Sequence, residues 1–298
     1  MWITFVYICL ILCILFYPEL SFQYASVGLL LWFERMVPRL LPFMILSSTV
    51  IRLGYSEKIG MILHPVLSFL YRCSKNVSFG LTMGLLCGFP MGARVAAQLY
   101  ETNQITKKEA EFLLYISNSI GPVYFCGFAI PLLGLKNVPL LLVGMYGIPL
   151  LYGFVLRCTI YRNMPSISSD SNGPLLQQCR IETLLDELNN AIHLSVEGIL
   201  SMGGYMVLFN LLYIVPSLIF KNKAILLYPF LEITGGLVAL GTAAPMISLW
   251  MLSFGGLCCI CQTYNCIAKT NLSIGKYVVH KTILGICSLL YYMCIFAL

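Results

Sequence analysis

With 59% hydrophobic and only 10% charged residues, this 298-residue chain differs from soluble domains, in which about a quarter of residues are charged. Its mean hydropathy is +0.87, which excludes an ordinary soluble domain and predicts an all-α, polytopic membrane protein with roughly seven to nine full or partial membrane segments. The net charge of +6 is spread over loops without a Lys/Arg run, so no nucleic-acid partner is expected and the positive-inside rule explains the basic residues better.

The N-terminal residues predict a membrane helix followed by an interfacial segment. Residues 1–17 are apolar, with no basic n-region and no clear small-residue cleavage site, which favours a membrane helix over a cleaved signal peptide. We assign residues 1–37 to this region. A new helix is predicted from Val37 to Arg52, with Pro38 in its first turn, where the missing N–H costs nothing.

Residues 59–71 are apolar but too few for a full crossing. A helix of this length reaches only about 20 Å, so we predict an interfacial or half-spanning piece. His64 lies before Pro65 in this stretch. We expect a hydrogen-bonded interfacial histidine there, with a proton relay as the alternative.

A glycine ladder with a proline and an arginine follows. The ladder recurs every four residues on one helix face, where another backbone can approach: Gly80, Gly84, Gly88 and Gly92. Pro90 removes a helix hydrogen bond, so we predict a break and a new helix beginning near Gly92 inside the protein. Arg94 beside this helix start forms a candidate anion site, because an unpaired arginine is costly at membrane depth. An arginine that snorkels to lipid phosphate is the alternative.

A second interruption follows a capped helix start. Thr106 is the predicted N-cap, with Glu109 at the capping-box position, and this turn should lie outside the bilayer core. The apolar stretch that follows contains Asn118, Ser119 and, at residues 121–122, a Gly-Pro break. Such a discontinuous helix is typical of transporter sites. Residues 138–160 then predict an uninterrupted crossing.

The second part of the chain repeats this order after a polar linker at residues 164–178 and an amphipathic surface helix at residues 179–190. We predict a long helix over 192–220, a polar break within 226–241 that contains Glu232, Thr234 and Gly235, and a last helix over 277–298. Between them, a span over 243–262 contains Gly255, Gly256 and Gln262.

Interruptions in matching places predict a helical bundle of two related halves with re-entrant or broken helices. The first half is assigned to residues 38–163, the linker and surface helix to 164–190, and the second half to 191–298. Glu232 is the expected counterpart of Arg94, by direct pairing or by holding a coupling cation. An interfacial Glu232 is the alternative.

Cysteine and histidine patterns predict neither a metal site nor an enzyme. The chain has 13 Cys, mostly in apolar stretches, where Cys behaves as a small hydrophobe. Cys258 and Cys261 form a CxxC without a second pair or a nearby His. The three His are isolated, and no HExxH or GxSxG motif occurs. We therefore expect no catalytic residues, no bound metal and no cofactor.

The motifs at residues 88–94, 107–111, 118–122, 231–236 and 253–257, with Gln262, resemble those of the sporulation integral membrane proteins with paired nucleoside-recognition (Gate) domains. The resemblance covers nearly the whole chain and implies that each half is Gate-like, with an architecture similar to concentrative nucleoside transporters. It also implies a bacterial cell membrane or forespore membrane. The stage V type is implicated in moving dipicolinic acid across the outer forespore membrane.

Several positions depart from the family pattern. Ser119 and Ile120 replace the second of two successive Asn and a small residue, and Gly236 replaces an Asn-Gly after Thr. Residues 258–261 are a cysteine-rich run in place of a Ser/Val/His-like one. In the architecture that the resemblance implies, these positions would face a ligand.

We therefore predict a multi-pass secondary transporter or facilitator that moves a small anionic or heteroaromatic solute, such as dipicolinic acid, by alternating access. Arg94 and the helix N-termini would hold the anionic end, while polar side chains donate or accept hydrogen bonds. A non-transporting sporulation scaffold that uses the linker as a docking surface, and a nucleoside transporter, are the alternatives. The lipid bilayer is a further partner, and a coupling ion and a homo-oligomer stay open. The predicted solute-binding residues are Gly88, Pro90, Gly92, Arg94, Asn118, Ser119, Gly121, Glu232, Thr234, Gly235, Gly255, Gly256 and Gln262.

Overall fold

The computed structural model describes residues 2–164 and 181–297, and all regular secondary structure within them is helical. Five helical stretches are long and apolar enough to cross a membrane: residues 107–132, 138–158, 181–231, 245–267 and 274–297. Residues 10–16 and 18–52 together make a sixth candidate, bent by 112°. These helices confirm the predicted polytopic membrane bundle.

The N-terminal region consists of α1 (Trp2–Phe16), α2 (Pro18–Leu31) and α3 (Val37–Arg52), with a π-helical turn at Trp32–Met36. Pro38 lies in the first turn of α3 as predicted. The prediction that a new helix begins at Val37 is wrong, because the π turn joins α2 to α3 without ending the helix. The Trp32 indole N–H donates to the carbonyl of Ile199 at 2.9 Å, which fastens this long helix to the second part of the chain.

The next helices form a compact bundle: α4 (Ser56–Gly60), α5 (His64–Tyr71), α6 (Lys75–Cys87), α7 (Met91–Glu101) and α8 (Lys107–Ser117). The predicted short piece at 59–71 is divided between α4 and α5. His64 Nδ1 lies 3.0 Å from Ser78 Oγ, which confirms a hydrogen-bonded histidine. The predicted capping box at Thr106 and Glu109 is also present.

Two predicted helix breaks are confirmed in this bundle. We call residues 88–90, between α6 and α7, the first break, and residues 118–121, after α8, the second break. After the second break the helix resumes as α9 (Pro122–Tyr124), a π turn (Phe125–Ala129) and α10 (Ile130–Leu132). The predicted crossing at 138–160 comprises α11 (Val138–Leu142), a π turn (Val143–Gly147) and α12 (Ile148–Cys158).

The second part of the chain begins with α13 (Ile181–Leu211), a single helix of 31 residues. The predicted separation of a surface helix at 179–190 from a membrane helix at 192–220 is therefore wrong. No proline or glycine lies between Ile181 and Glu197, so nothing ends the helix there. Arg52 forms an ion pair with Glu187, which fixes this end of α13 against α3. The predicted linker at 164–178 lies, apart from Met164, outside the described residues.

The remaining elements contain two further breaks. Helix α14 (Ile214–Phe220), a 3-10 segment (Lys221–Leu227) and α15 (Tyr228–Leu231) lead to Glu232, the third break, and then to α16 (Ile233–Leu240) and a 3-10 turn (Gly241–Ala243). The predicted span at 243–262 is interrupted at Gly255, the fourth break, between α17 (Pro245–Phe254) and α18 (Gly256–Ile267). Gly255 has a φ of 104°, which an L side chain rarely adopts. The chain then forms α19 (Ile274–Ala297).

Candidate solute-binding cavities

Three of the four breaks surround one cavity of about 390 Å³, which we call the central cavity. Phe89 lines it from the first break, Gly121 from the second and Glu232 from the third. Helix α3 contributes Arg39, and α18 contributes Gln262. Interrupted helices are therefore brought together around a space of the size that a small solute needs.

The carboxylate of Glu232 is held by neutral donors at the start of α16. Its Oε1 accepts the backbone N–H of Thr234 at 2.9 Å, and its Oε2 accepts the backbone N–H of Gly235 at 2.6 Å and the Asn210 side-chain amide at 3.2 Å. Glu232 is only 3% exposed. A Cβ at Gly235 would overlap Asn210 Oδ1, so glycine is needed for this arrangement. The N-terminus of a helix thus compensates the negative charge.

Asn118 joins the second break to three other elements. Its Nδ2 donates to Thr263 Oγ1 at 2.8 Å and to Tyr277 Oη at 2.9 Å, and its Oδ1 accepts the backbone N–H of Ala93 at 3.3 Å. The side chain is fully buried. The start of α7, where the sequence predicted an anion site, is thus partly occupied by the Asn118 amide oxygen. Asn118 joins the breaks to each other and does not line the central cavity.

Arg94 lies in a second cavity of about 180 Å³, which we call the polar cavity. Its Nη2 donates to the carbonyl of Leu194 at 2.8 Å, while its Nε is buried without a hydrogen-bond partner among the described residues. Glu197 on α13 and Glu101 on α7 are charged neighbours of this guanidinium. A Cβ at Gly198 would overlap Arg94 Nη1, so this glycine allows the guanidinium to pack against α13.

The polar cavity contains acidic and basic groups in equal number. Arg94 and Lys269 line it together with Glu101 and Glu197. Burial raises the pKa of the Glu101 carboxyl above its ordinary value, and the positive charges of Lys269 and Arg94 act in the opposite direction. The cavity is therefore charged but close to neutral overall.

The predicted direct pair between Arg94 and Glu232 does not form. Arg94 faces the polar cavity, whereas Glu232 faces the central cavity. Met202 and Gln262 line both cavities and therefore stand between them. The two residues that the sequence predicted to be counterparts therefore line two adjoining cavities.

All but one of the predicted residues fall into two groups. Gly121, Glu232, Thr234 and Gln262 line the central cavity, and Pro90, Arg94 and Gln262 line the polar cavity. A second group serves the packing of the breaks: a Cβ at Gly88 would overlap the backbone of Gly121, and one at Gly255 would lie 2.8 Å from Phe89 Cζ. This second group consists of Gly88, Gly92, Asn118, Gly235, Gly255 and Gly256. Ser119 belongs to neither group: it is buried in the second break, and its Oγ has no hydrogen-bond partner among the described residues.

Sequence reasoning did not single out two basic residues of this region. Arg39 lines the central cavity, and its Nη1 is buried without a hydrogen-bond partner in the described part of the chain. Lys281 is fully buried on α19. The signal for both was the same, an ionisable residue within an apolar segment, which is a functional-site hypothesis by default in membrane proteins.

Metal ligands are not grouped in the described ranges 2–164 and 181–297, where no set of three or more His, Cys, Asp or Glu side chains could hold an ion.

The fold and its long apolar helices define a multi-pass integral membrane protein. Over 208 residues, 65% of its length, the chain is 30% identical to the sporulation integral membrane protein YlbJ of Bacillus subtilis (strain 168). The match covers 51% of that protein, so the chain spans about half the length of this curated relative. The printed name of this relative describes a sporulation integral membrane protein, as the resemblance implied, and the long apolar helices of the chain itself confirm the predicted multi-pass membrane location. No protein-family model and no solved structure matches the chain.

Proposed function

We propose that the protein is a secondary transporter or facilitator, and not an enzyme, for a small anionic or heteroaromatic solute such as dipicolinate. The observation that carries this proposal is the meeting of three helix breaks around the central cavity. Broken helices expose backbone groups that membrane proteins tolerate only where these are buried in protein or line a wet cavity. Transporters use such breaks to bind solutes between two moving parts.

The lining of the central cavity suits a flat ring with a negative group. Phe89 and Tyr124 supply aromatic surface, and Thr234 and Gln262 supply polar atoms. The unpartnered Nη1 of Arg39 is a donor for a carboxylate, with which a guanidinium forms strong charge-assisted hydrogen bonds. Because the helix N–H groups already compensate Glu232, its charge opposes an anion less than that of a free carboxylate would.

The polar cavity is the second position at which the solute would bind along the proposed route. A solute that leaves the central cavity past Gln262 and Met202 would next meet the guanidinium of Arg94. We propose that the Gate-like halves, 38–163 and 191–298, move against each other so that the two cavities open in turn. This arrangement is alternating access in an architecture similar to that of concentrative nucleoside transporters.

Flux in liposomes tests the proposal. The full chain is reconstituted, and uptake of labelled dipicolinate and of labelled uridine is measured for the wild type, Arg39→Met and Arg94→Ala. We expect dipicolinate uptake by the wild type and a loss of about 10–100-fold in each variant, the cost of removing a charge-assisted hydrogen bond. Arg162→Ala, which removes an exposed arginine, should keep the wild-type rate.

Other outcomes would separate the alternatives. If the protein takes up uridine but not dipicolinate, this would indicate a nucleoside transporter. Absence of both fluxes in the intact protein would contradict transport of these solutes. If deletion of residues 164–178 abolished spore formation while Arg39→Met, Arg94→Ala and Glu232→Gln had no effect on it, a scaffold role would replace the proposal.

A further inference from the structure

A fully buried lysine lies where the first and second breaks meet. Lys281 on α19 is 0% exposed. Its Nζ donates to the backbone carbonyl of Asn118 at 3.1 Å and lies 4.6 Å from the centre of the Phe89 ring. Among residues 2–164 and 181–297, the ion pairs involve other side chains, so no carboxylate is paired with this ammonium.

The contacts of Lys281 are those that a bound cation would make. The Asn118 carbonyl belongs to the second helix break. The backbone there is not helical, since the N–H of the next residue, Ser119, donates to the carbonyl of Ser117. Carbonyl groups at such breaks coordinate cations in membrane transporters, and an aromatic face attracts a cation within about 6 Å of its centre. Both groups belong to residues of helix breaks, Phe89 to the first and Asn118 to the second.

The surrounding residues hold this arrangement in place. Thr263 and Tyr277 accept the two hydrogen bonds of the Asn118 amide, which orients the carbonyl of the same residue. Gly255 leaves room for the Phe89 ring, since a Cβ there would lie 2.8 Å from Phe89 Cζ. The ring therefore lies between the fourth break and the lysine.

We propose that the Lys281 ammonium is a tethered cation that occupies a cation site between the first and second breaks, so that no alkali ion from solution is needed there. This inference deepens the proposed function, on which its statement about coupling rests. A transporter with this site filled by its own side chain would move its solute equally well in sodium and in choline salts.

Thermal unfolding of the purified full chain in detergent tests the site without any solute. We expect the melting temperature of the wild type to be the same in choline, sodium and potassium chloride at equal concentration. Lys281→Ala should lower it by roughly 5–10 °C, and propylammonium, which replaces the atoms removed, or sodium should restore at least about half of that loss. Lys108→Ala, at an exposed lysine of α8 that takes part in none of the ion pairs among the described residues, should change little in any salt.

Two further variants keep the test decisive if Lys281→Ala does not fold. Lys281→Arg retains a positive charge and should stay close to the wild type, whereas Lys281→Met matches the length without the charge and should be destabilised in every salt. The proposal is overturned if Lys281→Met is as stable as the wild type, if no cation restores Lys281→Ala, or if sodium stabilises the wild type.

Flux separates this inference from the proposed function. Dipicolinate uptake by the wild type should be equal in sodium and choline buffers, and dependence on sodium would contradict the tethered cation. Absence of flux with the expected melting behaviour would remove the proposed solute and leave the cation site standing.

Discussion

The ionisable residues Glu232 and Lys281, which are buried, and Arg94, which is half-buried, have different kinds of partner. Glu232 accepts backbone N–H groups and an amide, Lys281 contacts a carbonyl and a ring, and Arg94 donates to a carbonyl on α13. None of the three uses an ion pair with a directly opposed charge in the described residues. Hydrogen bonds from oriented backbone groups can therefore replace counter-ions in an apolar bundle.

The cap at Glu232 gives a prediction at this scale. Glu232→Gln keeps the shape of the side chain but replaces one acceptor oxygen with an NH₂ group, so one of the donors from Thr234, Gly235 or Asn210 loses its partner. We expect destabilisation by about 1–2 kcal/mol, measured as a lower melting temperature in detergent. The matched control is Glu34→Gln, at an exposed glutamate. Equal melting temperatures for both variants would show that the carboxylate does not stabilise α16.

At the level of elements, three prolines of this chain contrast with Pro90. Pro38, Pro131 and Pro149 each follow a five-residue π turn, and the helix continues through them. A proline ring clashes with the carbonyl four residues earlier, and a π turn moves that carbonyl into the wider i to i+5 pattern. Pro90, by contrast, lies in a true break after Gly88, whose φ is 81°. A proline alone did not show which of these outcomes applies.

Close packing of α7 against the second break gives a prediction for the glycine ladder. A Cβ at Gly92 would lie 2.8 Å from backbone atoms of Ser117 and Asn118, which cannot move without displacing the break. Gly92→Ala should therefore destabilise the protein by about 1–3 kcal/mol. Gly204→Ala is the control, because nothing lies within 4 Å of its added Cβ, and it should be neutral or stabilise by about 0.5–1 kcal/mol. Melting temperatures of both variants in detergent test this prediction. An unchanged melting temperature for Gly92→Ala would contradict the close approach of α7 to the second break.

At the level of the whole molecule, α13 borders both cavities. It contributes Met202 to each of them and Gly198 to the polar cavity. The long helix of α2 and α3 lies beside it, tied by Trp32 and by the ion pair of Arg52 with Glu187. Movement of α13 relative to α18 would therefore change the separation between the two cavities.

The position of Met202 on α13, where it lines both cavities, leads to a prediction about the proposed route. Met202→Trp places a larger side chain between the cavities and should reduce dipicolinate uptake in liposomes by about 10-fold or more, since overpacking of a buried position opposes entry. Leu200→Trp, on the same helix but 56% exposed, should leave uptake unchanged. Melting temperatures of both variants separate a blocked route from misfolding. Unchanged uptake by Met202→Trp would show that solute does not pass this residue.

Local chemistry in the sequence was sufficient to predict most of the helix breaks. Pro90, the Gly-Pro at residues 121–122 and the polar run at Glu232 each interrupt a helix through their own backbone requirements. The capping box at Thr106 was predictable for the same reason. The continuity of α13 and the extra break at Gly255 were not, because a glycine or a polar segment permits a helix boundary without requiring one.

The sequence by itself determined that this is a helical membrane protein with interrupted helices, because composition and the positions of Pro and Gly act locally along the chain. Only the tertiary structure decided that Arg94 and Glu232 face different cavities, that Arg39 lines the central one and that Lys281 joins two breaks. The direction of a long side chain depends on which helix packs against it, as Gly198 shows by admitting the guanidinium of Arg94. Such contacts join residues far apart in the chain, and no local pattern encodes them.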